Sequence, residues 1–133
     1  MQRSRDAEKR ENEISAVILD TCIKFHTSYG PGLFESVYEE VLCYELIKRN
    51  LFVERQKPIP LIHEDIKLEI GFRADIIVEN RVLVEIKSIQ TLADVHFKQV
   101  QTYLKLTGLK LGLLINFNEH LLKDGYHRIA NRL

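Results

Sequence analysis

ADIIVENRVLVEIKS, residues 74–88, decides how the rest of the chain is read. Two runs rich in Ile and Val, Ala74 to Val78 and Val82 to Ile86, flank Glu79-Asn80-Arg81. Such runs around a short polar break predict a hairpin. Yet Asp75, Glu85 and Lys87 lie inside segments that otherwise ask for burial. Glu85 and Lys87 are two apart on a strand, so they share a face. Asp75 joins them in only one register. A two-residue turn at Glu79-Asn80 would pair Asp75 with Val84, on the opposite face. A three-residue loop, 79–81, would pair Asp75 with Glu85. We expect the loop, or a bulge with the same effect. Two facing carboxylates in a mostly buried hairpin repel. The arrangement is costly unless a cation sits between them. Oxygen ligands favour a hard divalent ion, Mg²⁺, or Mn²⁺ in its place. The simpler alternative is Glu-x-Lys on a solvated strand face, with Asp75 finishing a turn network. The flanking Ile/Val runs set the metal site level with it.

Outward from the hairpin, the period changes on both sides. Apolar positions at Ile14, Val17, Ile18, Thr21, Cys22 and Phe25 predict a helix over about 8–28. Tyr29-Gly30-Pro31-Gly32 ends it. A second helix is expected over about 33–50, with Val37, Val41, Leu42 and Leu46 inward. Phe52 to Lys57 reads as a short strand, and Pro58 and Pro60 put the next segment at an edge or a turn. Ile59–His63 and Ile66–Ile70 look like a first hairpin around Glu64-Asp65. Asp94 caps a third helix to about Thr107, ended by Gly108. KLGLLINF, residues 110–117, is a nearly continuous apolar strand, expected in the centre of a sheet. Tyr126–Ala130 adds a last short strand. Strand 82–86, helix 94–107 and strand 110–117 form a βαβ crossover, so the two strands should be parallel. The order predicts one α/β domain with a mixed sheet carrying helices on its faces.

Composition fits that reading. The chain has 133 residues, 45% of them hydrophobic, enough for one compact domain without a disulfide or structural metal. Residues 1–133 read as a single domain, with 1–10 a flexible charged N-terminus. Nineteen basic residues balance 19 acidic ones. Zero net charge argues against tight nonspecific nucleic-acid binding, but a local basic face remains compatible with it. Cys22 and Cys43 form no Cys-x-x-Cys pair and read as free buried thiols of a reducing compartment. No signal peptide is expected at the start, and no apolar run reaches membrane-spanning length. A cytoplasmic protein with no membrane association is expected.

Asp75 followed by Glu85-Ile86-Lys87 resembles the D…(D/E)xK core of the PD-(D/E)XK nuclease superfamily. Gly32-Leu33-Phe34-Glu35-Ser36-Val37-Tyr38 is similar to the signature of the bacterial GxxExxY proteins, a family placed in that superfamily. QVQTYLKLTGLKLGLLINF, residues 99–117, also resembles that family, with Gln99 four residues before Tyr103. The core alone is a weak signal; the three segments in order, over nearly the whole chain, are strong. Ala74 stands where the superfamily name has Pro, as in many members. The resemblance implies a restriction-endonuclease-like fold with a central mixed β-sheet flanked by helices.

It also implies roles. Asp75 and Glu85 would bind Mg²⁺ together with the backbone carbonyl of Ile86. Lys87 would hold or activate water, or stabilise charge on a phosphate; an ion pair with Glu85 is its simpler role. Glu35 would supply a third carboxylate, direct or through water; without the resemblance it reads as a helix-start residue complementing the dipole. Gln99 would contact phosphate or a ligand water, with Tyr103 one turn later; an amphipathic helix edge is the plain alternative. Tyr38 reads as core packing with a hydrogen-bonding tip, and Glu39 as a solvated charge. The five histidines show no metal-ligand spacing. Lys98, Lys105, Lys110, Lys123 and Arg128 are candidates for a basic rim, or simply a solvated face. The expected function is Mg²⁺-dependent hydrolysis of phosphodiesters in DNA or RNA. Alternatives are a silent nuclease-fold adaptor or a structural homo-oligomer; a homodimer is compatible with each.

Overall fold

The computed structural model describes residues 2–68 and 71–133. Helix α1 spans Gln2–Tyr29 and α2 spans Glu35–Lys48. Strands β1 (Val53–Pro58), β2 (Leu61–His63), β3 (Ile66–Leu68), β4 (Arg73–Val78) and β5 (Val82–Lys87) follow. Helix α3 (Asp94–Thr107), strand β6 (Leu111–Asn116), a short 3-10 turn (Leu122–Gly125) and β7 (Tyr126–Ala130) complete the chain. The order matches the sequence reading. The first helix starts earlier than its apolar stripe, so the charged segment before residue 8 is helical from Gln2. The expected end of the first hairpin at Ile70 lies outside the described residues.

The helices form for identifiable reasons. In α1, Ile14, Ile18, Cys22 and Phe25 recur at three-and-four spacing and are buried. Gly30, at φ +70, ends the helix in the left-handed region and donates its N–H to the His26 carbonyl at 2.7 Å. Helix α3 ends the same way at Gly108. Its start differs from expectation: the N-cap is Ala93, and Asp94 is the first helical residue. The Ala93 N–H donates to His96 Nδ1 at 2.9 Å, so the side chain of the third helical residue reaches back to the cap residue, as in one half of a capping box.

Five strands form one sheet in the order β1-β4-β5-β6-β7, while among the described residues β2 and β3 form a separate two-stranded sheet. The β5–β6 pair is parallel and the other neighbours are antiparallel, so the sheet is mixed. α1 and α2 cover one face, through Ile18, Leu42, Leu46, Val84 and Leu113 among others. α3 covers the other, through Val100, Tyr103, Leu104, Leu83 and Leu114. All six residues of β6 are buried, as a strand covered on both faces requires. Close approach of α3 is permitted by Gly112, where a Cβ would meet Val100 Cγ1 at 2.6 Å. Cys22 and Cys43 are free and buried, and burial pushes the Cys43 thiol up to about 12.

The register of the β4–β5 hairpin follows from its turn. Arg81 N–H donates to the Val78 carbonyl at 3.0 Å. Between them Glu79 and Asn80 sit at φ +56 and +54, as primed turns require. Arg81 is then left over, and the ladder runs Val78↔Val82, Ile77↔Leu83, Ile76↔Val84. That is the three-residue connection, and continuing it sets Asp75 opposite Glu85.

Candidate functional site

The ladder stops at Ile76↔Val84, one pair short of the two carboxylates. From there the side chains take over the backbone donors. Asp75 N–H donates to Glu85 Oε1 at 3.0 Å, and Ile86 N–H donates to Asp75 Oδ2 at 2.8 Å. Alternation along β4 also breaks at this point. Ile76 and Val78 pack with α1 and α2, but Ala74, which a regular strand would put beside them, packs on the α3 side. The strand is turned at Asp75, and its carboxyl lies beside Glu85 between two diverging strands.

Electrostatics follow from this placement. Glu85 is 3% exposed. Burial first, and the Asp75 charge second, push its carboxyl up to about 8. Burial is also the main cause raising Asp75. Two oxygen-rich groups that resist sharing two negative charges suit a hard cation, whose positive charge offsets both shifts. Mg²⁺ keeps several waters and needs only one or two carboxylates, so the donor set fits it. Among the described residues, no group of three His, Cys, Asp or Glu is gathered as a metal cluster.

Lys87 is half-buried, and its positive charge lowers the affinity of both Asp75 and Glu85 for protons. The ion pair with Glu85 is not among the salt bridges of the described residues. Lys87 therefore acts on the pair at a distance. Its carbonyl accepts the Phe117 N–H at 2.8 Å, which fixes the backbone there.

Glu35 opens α2, exposed, and its Oε2 accepts the Ser88 N–H at 3.3 Å. It thus touches the chain just past Lys87. Ser88 Oγ donates to the Leu33 carbonyl, binding the same two segments again. Tyr38 explains how α2 is aimed. It is 1% exposed and stacked on Phe117 at 4.5 Å. Its hydroxyl donates to the Gly30 carbonyl at 2.6 Å and accepts the Leu33 N–H at 3.2 Å. The Gly30–Gly32 turn is closed by the tyrosine it precedes. Tyr38 is core packing with a hydrogen-bonding tip, as its position suggested.

Glu39 is a correction: it is buried, not a solvated charge. Its Oε2 accepts from Arg55 Nε and Nη2 at 3.2 and 2.8 Å, and its Oε1 accepts from Gln56 Nε2 at 2.7 Å. Gln56 Nε2 also lies 3.3 Å from Asp75 Oδ1. Glu39 is thus linked to Asp75 through the Gln56 side chain. Nothing in the motifs marks Gln56 or Arg55; only the four-residue spacing from Glu35 marks Glu39.

Gln99 Nε2 donates to the Tyr103 hydroxyl at 3.1 Å, so these two residues of α3 partner each other. The Tyr103 ring is buried against Phe72. Of the expected basic rim, Arg128 is tied elsewhere: it donates to Ser15 Oγ and Asn12 Oδ1 on α1. Lys98, Lys105, Lys110 and Lys123 are exposed. His26 is a core residue, bonded to the Phe117 carbonyl. No helix among the described residues is long and apolar enough to cross a membrane.

Comparison with models of known families matches residues 12–129, nearly the whole chain, to the PD-(D/E)XK nuclease superfamily. No curated protein and no solved structure matches it significantly.

Proposed function

The chain belongs to the PD-(D/E)XK nuclease superfamily, and from this premise we propose that it hydrolyses phosphodiester bonds in DNA or RNA with the help of a divalent cation. The observation that carries the reading is the crosswise bonding of Asp75 and Glu85 where their strands part. Asp75 and Glu85, with the Ile86 carbonyl, would hold Mg²⁺, and Mn²⁺ would substitute. When bound, the ion supplies charge to polarise a phosphate and acidify a water. The chain's own residues do the rest. The buried hairpin holds the two carboxylates at fixed separation. Lys87 stabilises negative charge growing on the phosphate or orients the attacking water. Glu35, anchored at Ser88, would contribute a carboxylate through water, and Gln99 would contact the phosphate from α3. Cleavage of DNA or RNA by the purified protein with Mg²⁺ or Mn²⁺, lost in Asp75→Ala, tests this. No cleavage of any form, or equal cleavage by the variant, rejects it.

One observation favours a second reading, a nuclease fold that binds nucleic acid or a partner without turnover. No third acidic or histidine side chain joins the pair in a metal cluster among the described residues. Nucleic-acid binding that persists in Asp75→Ala, with no cleavage by either protein, would select this reading.

A further inference from the structure

Gln56 lies inside β1, not at a turn, yet its φ is +48. Side chains rarely adopt this left-handed backbone, and such residues gather where the surroundings impose them. The β1–β4 ladder runs Arg55↔Ile76 and then Lys57↔Ala74, omitting the step at which Gln56 faces Asp75. The irregularity therefore coincides with the turn in β4 that places Asp75 beside Glu85.

The conformation puts one amide between two carboxylates, Glu39 Oε1 at 2.7 Å and Asp75 Oδ1 at 3.3 Å. Glu39 is itself immobilised by Arg55, which also reaches Glu40. The second Asp75 oxygen is held by the Ile86 N–H. Both oxygens of Asp75 are thus fixed. The chemistry of the bridge matters. A neutral amide orients Asp75 and separates it from Glu39 without cancelling its charge, whereas Lys or Arg there would compete with a cation.

We propose that Gln56, anchored through Glu39 and Arg55, is a positioning residue that sets the Asp75 carboxylate for cation binding; this rests on the reading of Asp75 as a ligand. A purely structural residue and a positioning residue differ in what their removal does. Gln56→Gly deletes the amide and accepts the positive φ freely. The expected result is a midpoint of thermal unfolding unchanged or raised, with Mn²⁺ affinity by calorimetric titration lowered about 10- to 100-fold. In the metal-free protein the Ile86 amide should exchange hydrogen at least about 10-fold faster, with protection unchanged in the rest of the 76–78 and 82–84 ladder. Gln56→Asn, also tolerant of this backbone but too short to span both acids, should behave alike if the glycine variant fails to fold. Wild-type Mn²⁺ affinity together with wild-type exchange at Ile86 in these variants overturns the proposal. Absence of Mn²⁺ binding in the wild type rejects the metal reading, while exchange at Ile86 still decides whether Gln56 positions Asp75.

Discussion

Asp75 and Glu85 each bind the other's strand: the Asp75 amide donates to Glu85 Oε1, and Asp75 Oδ2 accepts the amide of Ile86, the residue after Glu85. The acids thereby replace the next rung of the β4–β5 ladder. They are held by the backbone, but they also face each other in a buried setting, and several consequences can be measured.

Acidity comes first. In the metal-free protein Glu85 is raised to about 8, from an ordinary value of 4.5. The folded state then binds more protons than the unfolded one between these two values. Stability from this group is fully present below the unfolded value and is lost as pH rises through the folded one. Urea midpoints with chelator present should therefore fall from pH 5 to pH 8, and Glu85→Gln should flatten the fall. An identical slope in wild type and variant would contradict the placement of Glu85.

A divalent cation should reverse that trend. Bound only by the folded state, it stabilises, and it competes with protons for the same oxygens. Mn²⁺ should raise the thermal midpoint more at pH 8 than at pH 6. Chelation should undo the rise, and Asp75→Asn should remove it at both values.

A Lys87 variant can tell metal binding from chemistry. The Lys87 charge faces the pair without an ion pair, so Lys87→Ala should leave Mn²⁺ affinity equal or tighter. Cleavage should fall about 100-fold or more, as when a charge-stabilising donor is lost. A parallel loss of Mn²⁺ binding would make Lys87 a structural partner of the acids instead.

Tyr38 anchors the start of α2. Its hydroxyl serves Gly30 and Leu33, while its ring stacks on Phe117. Tyr38→Phe should cost about 1–2 kcal/mol by chemical denaturation, and Tyr38→Ala about 3–5 kcal/mol. If Tyr38→Phe is neutral, the Gly30–Gly32 turn is held by other contacts.

The sequence made the β4–β5 register legible because one leftover residue, Arg81, decides it, and a turn of positive-φ residues is local chemistry. β6 was legible as a doubly covered strand from its unbroken apolar run, and α3 from its end at Gly108. Asp94 was misjudged as the cap: it is the first helical residue, and the His96 side chain, reaching back to the Ala93 N–H, marks a boundary one residue earlier that the spacing of the acids does not reveal. Glu39 and Gln56 were not legible. Their roles arise where α2, β1 and β4 meet, and no spacing within one segment encodes a bond between residues 39 and 56 or between 56 and 75. The left-handed backbone of Gln56 is likewise imposed by its neighbours, since glutamine carries no local preference for it.

Whether Asp75 and Glu85 share a divalent cation is the most direct test of the proposed activity. Calorimetric titration of the metal-free protein with Mn²⁺ at pH 8 measures this. The predicted result is one saturable site in the wild type, lost in both Asp75→Ala and Glu85→Ala while each variant keeps the fold by circular dichroism. Wild-type protein that binds no Mn²⁺, or folded variants that bind it with wild-type affinity, would contradict the account.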